Sequence, residues 1–433
     1  MSESISRKHF LGLGAVGAAI GTVAVVAGAG PAHAEASGDW QNVKDFGATG
    51  DGVTDDAPAI QQAIDQSGKL SAIFFPPGTY RCDRTITSQA RSLSIIGSGI
   101  GVTRVIFTVA GHGFDLSLVS DDATRDFDYL NVRDLSVLTR NPDGRSAIRA
   151  VWSKPTGQYP HCNIRNLELD HDLSGTTGHW ATGIALQDGW KSMIDTINYR
   201  SNGSGIGIDL QGRCVDSLIS NPHLSSAGVG IRIGPLNEGT VIYNAVAVGG
   251  KIGVQTQVGD NGRKGPWTTV RDSHFNTAVA GVELRGTGDS WVCDNLIYKL
   301  AGSSEDWAGV RVVDCNNSRI TGNQLFDTSG LAEREVPIEV RDSNLITLLH
   351  NQANSCKNGF ELHNSVACMV SHNIGRNTGA ASGGVVHLAA TTRGCVAHSN
   401  LSQVDSGTAP APVQNLGTNN HVADNHAYIG GLA

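Results

Sequence analysis

Gly281-Val282-Glu283-Leu284 is followed, eleven residues after its last aliphatic (295 − 284), by Asn295. Gly309-Val310-Arg311-Val312 leads in the same way to Asn323, Pro337-Ile338-Glu339-Val340 to Asn351, and Gly359-Phe360-Glu361-Leu362 to Asn373. Two earlier copies keep the interval: Gly207-Ile208-Asp209-Leu210 to Asn221, and Gly230-Ile231-Arg232-Ile233 to Asn244. Leu388 to Ser399 is a degenerate copy, and Gly253-Val254-Gln255-Thr256 is a stretched one with Ser273 in the Asn position. The copies recur every 22 to 28 residues (373 − 351 and 351 − 323). That is the period of a solenoid, in which each repeat buries its apolar face against its neighbours. Within each tetrapeptide, strand alternation turns the two aliphatics inward and the variable residue outward, and coils stack about 4.8 Å apart. The Asn suits a turn, where it bonds nearby backbone and tolerates a left-handed conformation. His350, His372 and His398 precede the Asn, or its Ser equivalent, in consecutive coils, which reads as a structural polar stack.

Read across coils, the variable positions form a file: Asp209, Arg232, Gln255, Glu283, Arg311, Glu339, Glu361, His387. A second outward file includes Gln211, Arg285, Arg341 and His363. Arginines and carboxylates in such a ribbon match rows of sugar hydroxyls. They can equally support one another from coil to coil. Glu283 and Glu339, two coils apart, are expected at about 9.6 Å, and Glu339 and Glu361 at about 5 Å. Those separations lie near the inverting and retaining geometries of glycosidase carboxylates, so all three are candidate catalytic residues. Arg311 between the first two favours their ionised forms, which suits a base and hinders an acid.

Coil length marks where loops flank this ribbon. Two coils use fourteen residues from Asn to the next strand (309 − 295 and 337 − 323). Their additions contain Ser304-Glu305-Asp306-Trp307 and Leu331-Ala332-Glu333-Arg334-Glu335, and the stretched copy inserts 258–267, ending in Trp267. Long loops on a rigid scaffold commonly carry function. Glu305, Asp306, Glu333 and Glu335 are candidates for a general acid, and an apolar loop pocket would help one keep its proton. Trp267 and Trp307 are candidates to stack on sugar faces. A lyase would instead need a base and a neutralised uronate carboxylate, for which Arg285, Arg311, Arg341 and Lys264 are available. Asp209 and Arg232 extend the expected binding surface.

A formal charge of −8 argues against nucleic acid as a partner. Arg7-Lys8, an Ala/Gly/Val-rich run and Ala32-His33-Ala34 read as a twin-arginine-like signal peptide over 1–34, followed by a leader over 35–41. A secreted chain with no membrane span after cleavage is expected. The eight Cys show no framework spacing and read mostly as buried thiols.

The stretch Asp45-Phe46-Gly47-Ala48, Gly50-Asp51-Gly52-Val53-Thr54-Asp55-Asp56, with Phe75-Pro76-Pro77-Gly78-Thr79-Tyr80 behind it, resembles the N-terminal signature of the pectate-lyase-like parallel β-helix superfamily. The resemblance covers about 42–430. It implies an all-β, single-stack right-handed parallel β-helix solenoid over 42–433 with a short N-terminal capping helix. It also implies that Asp51, Asp55 and Asp56 are structural. Thr54 or Asp55 is expected to N-cap that helix. The ordered motifs of polygalacturonases are not matched: Gly111-His112-Gly113 precedes Asp121-Asp122, and Gly230-Ile231-Arg232-Ile233-Gly234 lacks the Lys. Leu169-Asp170-His171-Asp172 resembles part of a pectate-lyase Asp-His element, without its Arg motif. Asn237-Glu238-Gly239 resembles the acid-bearing turn of β-helical fructan-cleaving transferases. The reading is an exported enzyme that cleaves a polysaccharide, glycosidase or lyase. It has no cofactor unless a lyase site takes Ca²⁺. The alternatives are that transferase, or a non-catalytic glycan-binding β-helix, with a homotrimer as a further expectation.

Overall fold

Short segments of alternating aliphatic and polar residues, broken by residues that accept a left-handed backbone, make strands that turn at regular corners. The computed structural model describes residues 40–67, 70–89, 92–118, 129–153, 161–172, 178–259, 265–327 and 331–430. The expected signal peptide over 1–34, Lys264 and Asp121-Asp122 lie outside these residues. The chain winds as a right-handed parallel β-helix in which each strand pairs in parallel with its counterpart one coil on. Three faces result. Sheet A carries Ile206–Gln211, Val229–Ile233, the later halves of Val246–Thr256 and His274–Arg285, then Trp307–Val313, Glu335–Arg341, Phe360–His363 and Gly384–Leu388. Sheet B includes Thr240–Tyr243, Thr268–Arg271, Trp291–Cys293 and Arg319–Thr321. Sheet C includes Leu296–Lys299 and Gln324–Phe326. The inward aliphatics, such as Ile208, Leu210, Val282, Leu284, Val310, Val312, Ile338 and Val340, are fully buried and form one continuous core.

The N-terminal end is closed by helix α1 (Ala57–Gln66), which buries Ala57, Ile60, Ala63 and Ile64. Its N-cap is Asp56, one residue later than expected. The Asp56 side chain turns back to accept from Thr49 N at 2.6 Å and Gly50 N at 3.1 Å, while Asp55 Oδ1 accepts from Ala57 N. Asp51 accepts from Val53 N and Thr54 N. Backbone bonds from Thr54 and then Val53 pull its carboxyl down to about 2. All three aspartates therefore shape the turn that leads into the cap. Trp40 and Gln41, expected in the leader, belong to the first strand, Trp40–Asn42, which pairs with Ala72–Phe74.

The repeat's Asn proves to be two different positions. Asn295, Asn323, Asn351, Asn373 and Asn400 lie inside the coil and form a ladder. Each amide donates to the next Asn Oδ1 at 2.9–3.1 Å, ending on Asn425. Asn221 and Asn244 instead sit at an outer corner with φ of 53° and 50°. Asp294, His350, His372 and Ser399 hold that corner in later coils. The cause is one extra residue in the turn from sheet A to sheet B. Register partners are eight residues apart in the early coils (Leu210 to Leu218), seven in the coils from Leu284 to Leu362 (Leu284 to Trp291), and eight again from Leu388 to Val396. The His350, His372 and His398 rings follow one another at centroid distances of 5.3 Å, the first pair tilted and the second edge-on. All eight Cys are buried and free.

Candidate functional site

Parallel register with a two-residue side-chain period brings the outward residues of sheet A into line. The pairings run Asp209, Arg232, Gln255, Glu283, Arg311, Glu339, Glu361, His387, in the order read from the repeat. Arg285, Val313, Arg341 and His363 align beside them.

The acids of this ribbon lie beneath its cations. Glu283, Glu339 and Glu361 are only 1%, 2% and 4% exposed. Glu283 accepts from Gln255 Nε2 at 2.6 Å, Arg285 Nη2 at 2.8 Å and Arg311 Nη1 at 3.1 Å. Glu339 accepts from Arg311 Nε at 3.0 Å, pairs with Arg334 at 2.8 Å and takes a further bond from Arg341 Nε. Glu361 accepts from Arg334 and from Asn358 Nδ2 at 2.8 Å, and His363 Nε2 lies 3.1 Å away. Asp209 is held by Arg232 through both its oxygens. Arg285 and Arg341, by contrast, are each 44% exposed at the side chain. The ribbon thus presents guanidinium edges and imidazoles to solvent and keeps its carboxylates below.

Protonation follows from this layering. Burial pushes the Glu283 carboxyl up, but bonds from Arg285 and Gln255 more than offset it and its pKa is lowered. The same holds for Glu339, where Arg334 leads the offset. Burial likewise opposes ionisation of Glu361, yet His363 and Arg334 bring it down to about 2. All three are ionised at neutral pH, so none carries a proton to give to a leaving group. They accept and orient.

The loops place the other expected residues differently. Glu305, Asp306 and Glu333 are exposed, and Asp306 Oδ1 accepts from Arg334 N at 3.0 Å, tying the two long loops together. Glu335 is fully buried, 3.3 Å from Lys299 Nζ and 3.8 Å from Lys357 Nζ. Burial and then the neighbouring Asp327 raise its pKa, as expected for a loop acid that keeps its proton, but it has no exposure to a substrate. Trp307 is 1% exposed and belongs to the hydrophobic core, which corrects the expectation that it stacks on sugar. Trp267 is 58% exposed at the start of sheet B. Arg334 was missed as a site residue because a loop position has no place in the repeat; the extra coil length was its only signal. In the Asn237-Glu238-Gly239 turn, Asn237 is buried, accepting from Cys214 N and donating to Leu210 O and Gly234 O, while the acid Glu238 is exposed.

Asp170 and Asp172 form a separate group at the end of the strand Cys162–His171. Asp172 pairs with Arg104 and Arg140, and Asp170 with Arg200 and His171.

Glu339, Glu361 and His363 offer ligand atoms within 4.8 Å of one another. They do not fit a cation, because the Arg334 guanidinium bridges the two carboxylates and would have to be displaced. Charge neutralisation here belongs to arginine.

Residues 40–318 match the family described as rhamnogalacturonase A/epimerase, pectate lyase-like. A mannuronan C5-epimerase of Azotobacter vinelandii is 27% identical over 286 residues, 56% of this chain and 18% of that protein. The chain spans less than a fifth of the length of the curated relatives it matches first. The A-module of an Azotobacter vinelandii mannuronan C-5 epimerase superposes with a TM-score of 0.57 at 18% identity, covering 91% of this chain and 100% of the module. Tailspike protein 3 of bacteriophage CBA120 gives 0.58 at 14% identity, covering 89% of this chain and 61% of the tailspike. At these identities the two structures share the fold.

Proposed function

The chain belongs to the rhamnogalacturonase A/epimerase, pectate lyase-like family, and on that premise we propose that it is an exported enzyme acting on an acidic polysaccharide along sheet A. The observation that carries the reading is the inverted layering of the ribbon: buried, ionised Glu283, Glu339 and Glu361 beneath the exposed edges of Arg285 and Arg341. Guanidinium groups bind carboxylates through paired N–H donors. A chain of uronates, one carboxylate per sugar, complements such a row. The sequence match to a mannuronan epimerase supports the same substrate class.

The chemistry follows from charge. Hydrolysis of a glycosidic bond needs an undissociated acid beside the leaving oxygen. The three buried glutamates are ionised and cannot serve. Arginine held against a uronate carboxylate does something else. It stabilises the negative charge that builds up when the proton on the adjacent carbon is removed. Proton abstraction, leading to elimination or to inversion at that carbon, is therefore the favoured reaction class. Glu283, Glu339 and Glu361 fix the guanidinium planes, and Asp209 does the same for Arg232. Trp267 is proposed to contribute a stacking face at the groove's edge. Export rests on the 1–34 segment, and no helix among the described residues is long and apolar enough to cross a membrane.

The test is incubation with polyuronates and neutral glycans, following ultraviolet absorbance of unsaturated uronate, new reducing ends and uronate stereochemistry by NMR. Elimination gives the first two signals and epimerisation the third. Reducing ends alone would mean hydrolysis and contradict the proposal. Retention on a polyuronate with no product would leave a binding protein. A homotrimer is part of the proposal: light scattering at three chain masses supports it, and a monomer mass contradicts it.

A further inference from the structure

We infer that His387 is the base that removes the proton next to the uronate carboxylate, an assignment that rests on the acidic-glycan reading above. His387 is the outward residue of Gly384–Leu388, register partner of Glu361 on one side and Gln414 on the other. Each backbone neighbour is thus about 4.8 Å away. Its Nδ1 faces two acceptors, the Ser382 carbonyl at 2.9 Å and Gln414 Oε1 at 2.6 Å. A backbone carbonyl only accepts, so the proton sits on Nδ1 and the lone pair on Nε2. The His387 side chain is half-buried, and no hydrogen bond to its Nε2 occurs among the described residues. The turn over this anchor is tight. Gly383 has φ of 74°, and a Cβ there would lie 2.7 Å from Gln414 Nε2.

The surroundings supply the rest. Glu361, on the adjacent strand, is engaged by Arg334, Asn358 and His363, so it does not compete for the His387 ring. The His363 ring centroid lies 6.0 Å from that of His387. Arg334 rests on Glu361, the register neighbour of His387, so a uronate carboxylate against its guanidinium would lie one coil from the ring. This is the arrangement of a general base oriented through its second nitrogen.

The step balances without a co-reactant. The C5–H bond breaks, its proton goes to Nε2, and the electron pair moves into the carboxylate, giving an enediolate beside Arg334. In elimination the pair returns to form C4=C5 as the C4–O bond breaks. The leaving oxygen takes the proton from the imidazolium, and His387 is neutral again. In epimerisation water protonates the opposite face of C5, and the hydroxide left behind takes the imidazolium proton.

The test uses the full chain with His387→Gln, His387→Ala and Gln414→Glu. Two readouts are taken: exchange of the C5 proton of an oligouronate in D₂O by NMR, and retention on immobilised polyuronate. Both His387 variants should lose exchange by about 10²–10⁴-fold with retention unchanged, and added imidazole should partly restore His387→Ala. Gln414→Glu puts a carboxylate against Nδ1 and should move the acid limb of kcat/KM to higher pH. Undiminished exchange in a folded His387→Gln overturns the assignment, as does parallel loss of exchange and retention. A wild-type chain that neither retains polyuronate nor exchanges its proton overturns the substrate reading and, with it, the role of His387.

Discussion

Glu339 is contacted by three guanidinium groups, those of Arg311, Arg334 and Arg341, while being 2% exposed. In Glu339→Gln, Arg311 keeps Glu283 and Arg334 keeps Glu361, while Arg341 loses its carboxylate, and losing the charged acceptor costs about 1.5–3 kcal/mol. Urea unfolding should show this loss. Arg341→Gln, at an exposed guanidinium, should change stability by less than about 1 kcal/mol yet weaken polyuronate binding by about tenfold. Acid should act on the whole ribbon. Glu283, Glu339 and Glu361 have folded pKa values below their unfolded ones, so their contribution is present above the unfolded value. It is lost as pH falls through the folded values, for Glu361 from about 4.5 down to about 2. Glu335, with a raised folded pKa, works in the opposite direction. A circular-dichroism titration should therefore show most of the acid loss below about pH 4.5. The outward residues could be placed from sequence because strand alternation alone assigns them a file. Which of them is buried was not legible, since that depends on arginines reaching across coils and on Arg334 arriving from a loop.

Within the coil, the eleven-residue interval was legible and its meaning was not. It joins inner Asn351 to outer Asn244, because the early coils add one residue between sheets A and B. The two positions should respond oppositely. Asn351→Ala removes the acceptor for Asn323 and its own bonds to Asn373 and Ile320, leaving buried donors unpaired at a cost of about 1–3 kcal/mol each. Asn244→Gly, at φ of 50°, suits the left-handed corner and should be within about 0.5 kcal/mol of wild type. Melting temperatures of the two variants check this directly. The capping helix, in contrast, was readable to within one residue, because Pro58 and the spacing of Ile60, Ala63 and Ile64 are local signals.

At the level of the molecule, a chain of net charge −8 displays a ribbon whose exposed edge is cationic. Binding of a polyanion to so local a surface should weaken steeply with salt. The parallel β-helix repeats its outward positions once per coil, which sets Arg285 and Arg341 in one file two coils, about 9.6 Å, apart. The fold was evident from the repeat period and the N-terminal signature, whereas the proposal of an acidic substrate rests on the burial of the carboxylates, which the repeat does not reveal. The most direct measurement compares binding of a polyuronate with that of the same polymer after reduction of its carboxyl groups to alcohols. Retention of the charged polymer only is expected, with the difference lost in Arg285→Gln/Arg341→Gln. Equal binding of the two polymers would contradict it.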